Sequence, residues 1–369
     1  MKIEQFSYCD KKTDWMLEPV RFDNLNLLVG LSGSGKTRIL RALSDLKRIS
    51  EGKSLSGAEW HISLKTSDKK VEWSGTFEIS NNPNPKLVSE KIVIDGNEIV
   101  SRTSDEFVFE NERQKKLSPS VSAVKIFEQE SAMMVIQDAF RNLRYSSDYG
   151  DSFPFPADAF PFSSMKRFTL PSESFSSTNE LKNSRLSLEI KLFQAQEGHR
   201  ALYESIVESF IEVFPNVEHI STEFIRVDNS ALPYQAALRV KEKGMQEYVT
   251  SGYNWSSGML KTFVSIAHLY LEPQGTVFLI DELENSLGLN CLDALAEIIL
   301  GNQDEHQFII TSHHPYIINK IPFRHWKIVT RKGSIVSVKD ASEFNLGKSK
   351  HEAFTQLINL EALQQGIET

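Results

Sequence analysis

The apolar positions of the chain follow two alternating periods. Leu25, Leu27, Leu28 and Val29 form a short apolar run, which predicts a buried strand. From Thr37 to Leu46 the spacing lengthens, and Ile39, Leu40, Leu43 and Leu46 fall on one face of a predicted helix. With the loose alternation of Met1 to Tyr8, two strands are expected in residues 1–29. Period two then dominates from Glu59 to Glu110, in Trp60–Leu64, Val71–Ile79, Lys91–Ile94 and Glu106–Phe109. Asn81-Asn82-Pro83-Asn84-Pro85 and Asp95-Gly96 punctuate these runs, so an antiparallel sheet is expected. Helical spacing returns from Val124 to Leu143 and over residues 184–213, read as one long helix closed before Pro215. Strands follow at Val217–Arg226 and Tyr234–Lys241. Further on come an apolar helix with Met259, Leu260, Phe263, Val264, Ile266, Ala267 and Tyr270, and apolar runs at Thr276–Ile280 and Gln307–Thr311. A hairpin, Trp326 to Val338, is expected to turn at Arg331-Lys332-Gly333. A last amphipathic helix carries Phe354, Leu357, Ile358, Leu360 and Leu363. Residues 146–178 hold six phenylalanines, too many for a disordered linker. They are expected either to pack on the body or to order against a partner.

Chemistry enters where these runs stop. The first apolar strand leads into Gly30-Leu31-Ser32-Gly33-Ser34-Gly35-Lys36-Thr37, a fit to the G-x-x-x-x-G-K-[ST] phosphate loop. Glycines let the backbone curl so that successive N–H groups point at phosphate oxygens, and the following helix adds its N-terminal dipole. Lys36 supplies a charge for the β- and γ-phosphates, and Thr37 a hydroxyl for Mg²⁺. Gly30, Ser32, Gly33, Ser34, Gly35, Lys36, Thr37 and Arg38 are the nucleotide-binding candidates of this stretch. Ser256-Ser257-Gly258, at the head of the Met259 helix, reads either as a second anion site or as an ordinary helix cap. The Thr276–Ile280 strand ends in Asp281-Glu282, the Walker B pattern. Asp281 is placed to hold Mg²⁺ with Thr37, and Glu282 to orient or deprotonate the attacking water. The Gln307–Thr311 strand ends in Ser312-His313-His314-Pro315, where an imidazole can donate to the γ-phosphate or the water.

Bulk properties narrow the setting. The chain has 369 residues, 40% hydrophobic and 24% charged, with a formal net charge of −8. That charge disfavours a surface built throughout for nucleic acid, although a local basic groove remains open. Cys9 and Cys291 match no metal spacing, no export signal is visible at Met1-Lys2-Ile3-Glu4-Gln5, and no apolar run spans a membrane. A reduced, cytoplasmic setting is expected.

The order of phosphate loop, Ser-Ser-Gly helix, Asp-Glu strand and His strand resembles the ABC-type ATPase head. More narrowly it resembles the RecF, Rad50/SMC and OLD-like branch of AAA family ATPases. Asp281-Glu282-Leu283-Glu284-Asn285-Ser286-Leu287 is similar to that branch's Walker B with its D-loop, and Ser312-His313-His314-Pro315 to its Thr-His-Ser-Pro element, which aligns His313 with the switch histidine. Trp255-Ser256-Ser257-Gly258-Met259-Leu260-Lys261 is similar to its signature motif, with Trp255 where Leu is usual. Gln129 and Gln137 are both candidates for the Q-loop. The resemblance implies an α/β fold: a P-loop head with a mixed central sheet, an antiparallel β lobe and an inserted helical subdomain. It divides the chain into core (1–57), β lobe (58–112), helical and loop insertion (113–248), core again (249–340) and C-terminal helix (341–369).

The same resemblance implies an ATPase using ATP and Mg²⁺, with Glu282, His313 and Lys36 catalytic. Ser256, Ser257 and Gly258 would complete the site of a second copy, giving a homodimer or higher homo-oligomer through an ATP sandwich. The chain between Thr37 and Trp255 is too short for the long coiled coil of an SMC protein. Residues 316–369 leave no room for the Toprim nuclease of OLD proteins. Nuclease or toxin activity is therefore expected in a separate effector, as in the Septu and PARIS ATPases of bacterial anti-phage defence. The alternative is a RecF-like DNA clamp, for which Lys115, Lys116, Arg141, Arg144, Lys166 and Arg167 are scattered basic candidates.

Overall fold

The computed structural model describes residues 1–66, 68–114, 118–145, 174–226, 234–250, 255–285 and 287–344. In chain order it begins with strands β1 (Lys2–Asp10), β2 (Trp15–Arg21) and β3 (Leu25–Val29) and helix α1 (Lys36–Ser50). Strands β4 (Ala58–Lys65), β5 (Lys70–Phe77), β6 (Leu87–Ile94), β7 (Asn97–Arg102), β8 (Phe107–Phe109) and β9 (Glu112–Arg113) follow, then α2 (Ala123–Ile126), α3 (Ser131–Arg141) and β10 (Leu143–Tyr145). Next come α4 (Thr178–Asn183), α5 (Leu188–Gly198), α6 (Arg200–Val213), β11 (Val217–Arg226), β12 (Tyr234–Glu242), β13 (Val249–Thr250) and α7 (Ser257–Leu271). The chain continues through β14 (Val277–Ile280), α8 (Leu289–Gly301), β15 (Gln307–Thr311), α9 (Pro315–Lys320), β16 (Trp326–Lys332) and β17 (Ile335–Asp340).

Two compact units result. The first contains the described parts of Met1–Ser146, Gly275–Leu283 and Gln303–Thr369; the second, those of Ser147–Gln274 and Glu284–Asn302. In the first unit one 14-stranded sheet runs in the order β10-β14-β15-β3-β16-β17-β2-β1-β4-β5-β6-β7-β8-β9. The stretch from β10 to β16 is parallel, and every residue of β3 and β15 is buried, as expected of strands covered on both faces. From β1 to β9 all pairing is antiparallel. The β lobe is thus a continuation of the core sheet through β1 and β4, not a separate sheet set beside it. In the second unit α4 to α8 and the three-stranded sheet β11-β12-β13 share a core around Ile206, Phe210, Leu238 and Phe263.

Several elements depart from the sequence expectation. Residues 1–29 hold three strands, because Trp15, Leu17 and Val20 bury one face of β2 despite Glu18 and Pro19 between them. A strand, β7, follows the Asp95-Gly96 turn. The Val124–Leu143 helix is two helices and a strand, with Gln129 in the break. The 184–213 helix breaks at His199, whose backbone (φ −133°, ψ 57°) is not helical and which separates α5 from α6. The phenylalanine-rich expectation for 146–178 falls largely outside the described residues, as do the final helix, Lys115, Lys116, Lys166 and Arg167.

The lobe is locked to α2 by one buried carboxylate. Glu90 on β6 accepts hydrogen bonds from Trp73 Nε1 (3.0 Å), the Ser122 hydroxyl and the Ala123 amide (2.8 Å). Burial pushes the Glu90 carboxyl above the usual carboxylate range, against the pull of those donors and of the Arg102 charge. Glu90→Ala should therefore cost about 3 kcal/mol by leaving buried donors unpaired, read as a lower urea midpoint. A raised folded-state pKa makes Glu90's contribution greatest at or below its ordinary value of 4.5 and smaller as pH rises through the folded value. The stability advantage of wild type over Glu90→Gln should accordingly shrink as pH is raised from 4.5.

Candidate nucleotide site

β3 delivers its C-terminal end to the edge of the parallel sheet, where β14 and β15 also finish. The loop that follows can only begin with glycine: a Cβ at Gly30 would lie 2.3 Å from the Val329 carbonyl oxygen of β16. At its end Gly35 takes φ +107°, a conformation side chains resist, and caps α1. Lys36 is 4% exposed and curls back over the loop, with Nζ donating to Gly30 O (2.8 Å) and Leu31 O (2.9 Å). The Ser34 amide also donates to Leu31 O, at 3.1 Å. The Ser34 hydroxyl is buried with no hydrogen-bond partner, as is the Trp15 indole N–H, 3.6 Å from where a Cβ on Gly35 would sit. Ser32 is exposed. A curled backbone, a lysine held inside it and an orphaned hydroxyl suit a phosphate chain.

The acidic side of the site is organised by a hydroxyl. Asp281 Oδ1 accepts from Thr37 Oγ1 (3.0 Å) and from Thr311 Oγ1 (2.7 Å). The Thr311 hydroxyl in turn accepts from the Glu282 amide (2.8 Å), and the Thr311 carbonyl from the Leu283 amide (3.1 Å). Phosphate loop, Asp-Glu strand and His strand are thereby tied at one point. Glu282 adopts φ +49°, and its side chain is exposed. For a residue with a Cβ that conformation costs about 1–2 kcal/mol, which the two bonds to Thr311 offset. Thr37 and Asp281 suit Mg²⁺, which is held by one or two protein oxygens together with substrate phosphates. Among the described residues no group of three His, Cys, Asp or Glu side chains could hold an ion unaided.

The two histidines differ in position. His314 caps α9, its Nδ1 accepting from the Tyr316 amide (3.2 Å). His313 is exposed beside it, two residues beyond Thr311. Arg38 points elsewhere: its guanidinium bonds Asp10 (2.7 Å) and the Thr13 hydroxyl and lies 4.6 Å above the Trp15 ring. It therefore fastens α1 to the β1–β2 turn. Gln137 donates to Val124 O (3.1 Å), bracing α2 against α3.

In the second unit Ser256 caps α7, its hydroxyl accepting from the Met259 amide (3.2 Å), with Ser257 and Gly258 in the first turn. Trp255 is an anchor, stacked on Phe210 (5.1 Å, 12°) and edge-on to Phe263. Thr311 is the residue that motif reading passed over. Its signal was a hydroxyl ending a buried strand directly after Phe308, Ile309 and Ile310.

Residues 243–319 match a family model described as "AAA domain, putative AbiEii toxin, Type IV TA system". The match takes in the signature, Asp-Glu and His stretches. No curated protein matches the sequence. The fold is similar to the crystal structure of an Smc head bound to the C-winged helix domain of ScpA, at 14% identity over 92% of this chain and 97% of that one, TM-score 0.54. Smc heads from Pyrococcus yayanosii (12% identity, 97% and 99% covered, TM-score 0.49) and Pyrococcus furiosus (13%, 97% and 99%, 0.48) also match. The chain therefore has the mixed-sheet α/β fold of an SMC head. Among the described residues no helix is long and apolar enough to cross a membrane.

Thr311→Val keeps the volume and removes both side-chain bonds. It should cost about 1–3 kcal/mol, because the Glu282 amide loses its acceptor. If Glu282 orients an attacking water, nucleotide hydrolysis should slow by about 10²-fold through its misplacement, with nucleotide affinity retained. Thermal melts and steady-state turnover check the two effects separately.

Proposed function

We propose that the protein is an ATP-binding and hydrolysing switch that closes head to head around nucleotide and controls a separate effector. The observation that carries this reading is the Thr37–Asp281–Thr311 hydrogen-bond chain, with the Glu282 amide bonded at its end. It joins a phosphate loop to an acidic pair at the edge where P-loop folds bind ligands.

Each residue then has a task. Loop amides and Lys36 hold the β- and γ-phosphates. Thr37 and Asp281 hold Mg²⁺, which when bound neutralises charge developing on the phosphates. Glu282 orients the attacking water and accepts its proton, and exposed His313 donates toward the γ-phosphate. Ser256, Ser257 and Gly258 of a second copy close the site from outside. Closure is favoured only as far as ATP binds the closed state more tightly than the open one.

The family model's description names a toxin and a type IV toxin–antitoxin system, which supports a role in bacterial defence with a nuclease or toxin as effector. The Smc head of similar fold is bound to a domain of another protein, which supports regulation through a partner chain. The DNA-clamp reading has less behind it. Of its basic candidates, Arg141 and Arg144 lie among the described residues, and Arg141 is paired with Asp138 at 2.7 Å.

Lys36→Ala should abolish nucleotide binding in a fluorescent-nucleotide titration. Glu282→Gln should accumulate as a dimer on size exclusion in ATP and Mg²⁺; a species that stays monomeric would rule out the sandwich. DNA retention that falls steeply with salt would favour the clamp instead.

A further inference from the structure

The β16–β17 hairpin belongs to none of the nucleotide motifs, yet it is the wall against which the phosphate loop is built. Three loop positions meet it in turn. Gly30 faces the Val329 carbonyl, Gly33 O accepts from Arg331 Nη1 at 3.3 Å, and a Cβ at Gly35 would lie 3.0 Å from Val336 Cγ2. Arg331 is exposed and folds back over the hairpin turn, its Nε donating to Gly333 O at 2.8 Å. Those two carbonyls use two of the five N–H donors that an arginine carries. Neither carbonyl neutralises its charge.

A guanidinium is thus held against the phosphate loop by a neutral acceptor. Beside it lie the α1 N-terminus and the Ser34 hydroxyl, 3% exposed and without a partner. The bond to Gly33 O is at the long end of the hydrogen-bond range. Exchange onto a phosphate oxygen replaces it with a charge-assisted bond, roughly twice as strong. The Nε bond to Gly333 can persist through the exchange, which keeps the side chain at the rim.

We propose that Arg331 is a further nucleotide-binding residue, whose guanidinium passes from Gly33 O to a non-bridging phosphate oxygen of a nucleoside triphosphate in the loop. The proposal rests on the nucleotide reading of that loop. The contact would make the hairpin report loop occupancy to β17 and to β2 beyond it, since these strands pair at Val336 and Leu17.

The test is calorimetric titration of the full chain with Mg²⁺ and a non-hydrolysable ATP analogue. Arg331→Ala should weaken binding about tenfold or more, the worth of one charge-assisted hydrogen bond. Its nucleotide-free melting temperature should match wild type, Arg331→Lys should recover part of the affinity, and Lys332→Ala, at the same tip, should bind as wild type. Unchanged affinity in Arg331→Ala, with binding lost in Lys36→Ala, overturns the proposal and leaves the loop reading standing. Equal losses in Arg331→Ala and Lys332→Ala would mean diffuse charge rather than a contact, and also overturn it. So would a lowered nucleotide-free melting temperature that accounts for the whole effect, or lost DNA retention at unchanged nucleotide affinity. No binding by wild type overturns the loop reading itself.

Discussion

A single hydroxyl, that of Thr311, fixes the relation between the charged groups of the site. It donates to Asp281 and accepts from the Glu282 amide, while Asp281 accepts in turn from Thr37 at the end of the phosphate loop. Thr311 can do this because β15 lies between β3 and β14 in the sheet, so its last residue stands midway between the loop and the acidic pair. Parallel pairing brings all three strand ends to the same edge. The hydrogen bonds then set the final fraction of an ångström. The left-handed backbone at Glu282 belongs to this arrangement, since the turn it makes points the carboxylate outward while the neighbouring Asp281 stays tied to its hydroxyls.

Much of this was legible in the residues. The Leu25–Val29 run, the glycine loop and the helical spacing after Thr37 each point to the same strand–loop–helix unit, and local pattern agrees with global fold there. The hairpin at Arg331-Lys332-Gly333 and the strands at Val217 and Tyr234 were readable because turn residues separate clean apolar alternations. The failures have physical causes. In β2, Pro19 and Glu18 disguise a strand whose inward face is apolar. At His199 a helix breaks without proline, directly after Gly198, and an isolated glycine inside a helical pattern is a weak stop signal. Residue order beside the loop makes Arg38 a nucleotide candidate but does not reveal its side-chain partners, Asp10 and Trp15, which a hairpin supplies that sequence spacing cannot bring near.

The signature stretch shows how two readings of a residue can coexist. Ser256 is an ordinary helix cap, accepting from Met259, and that role uses its oxygen and leaves its hydroxyl hydrogen available. Trp255 stacks on Phe210 and meets Phe263 edge-on, so its size serves the core of its own unit.

The sheet order carries a consequence for how such a chain can diversify. Within the sheet, the lobe from β4 to β9 joins the parallel strands by way of β1 and β2, and β2 pairs with β17 at only Met16–Ile335 and Leu17–Val336. This narrow seam adjoins the loop at Gly35 without supplying any of its hydrogen bonds. None of the hydrogen bonds that join Thr37, Asp281, Thr311 and Glu282 comes from a lobe strand, so the lobe's outer surface can change without removing any of them.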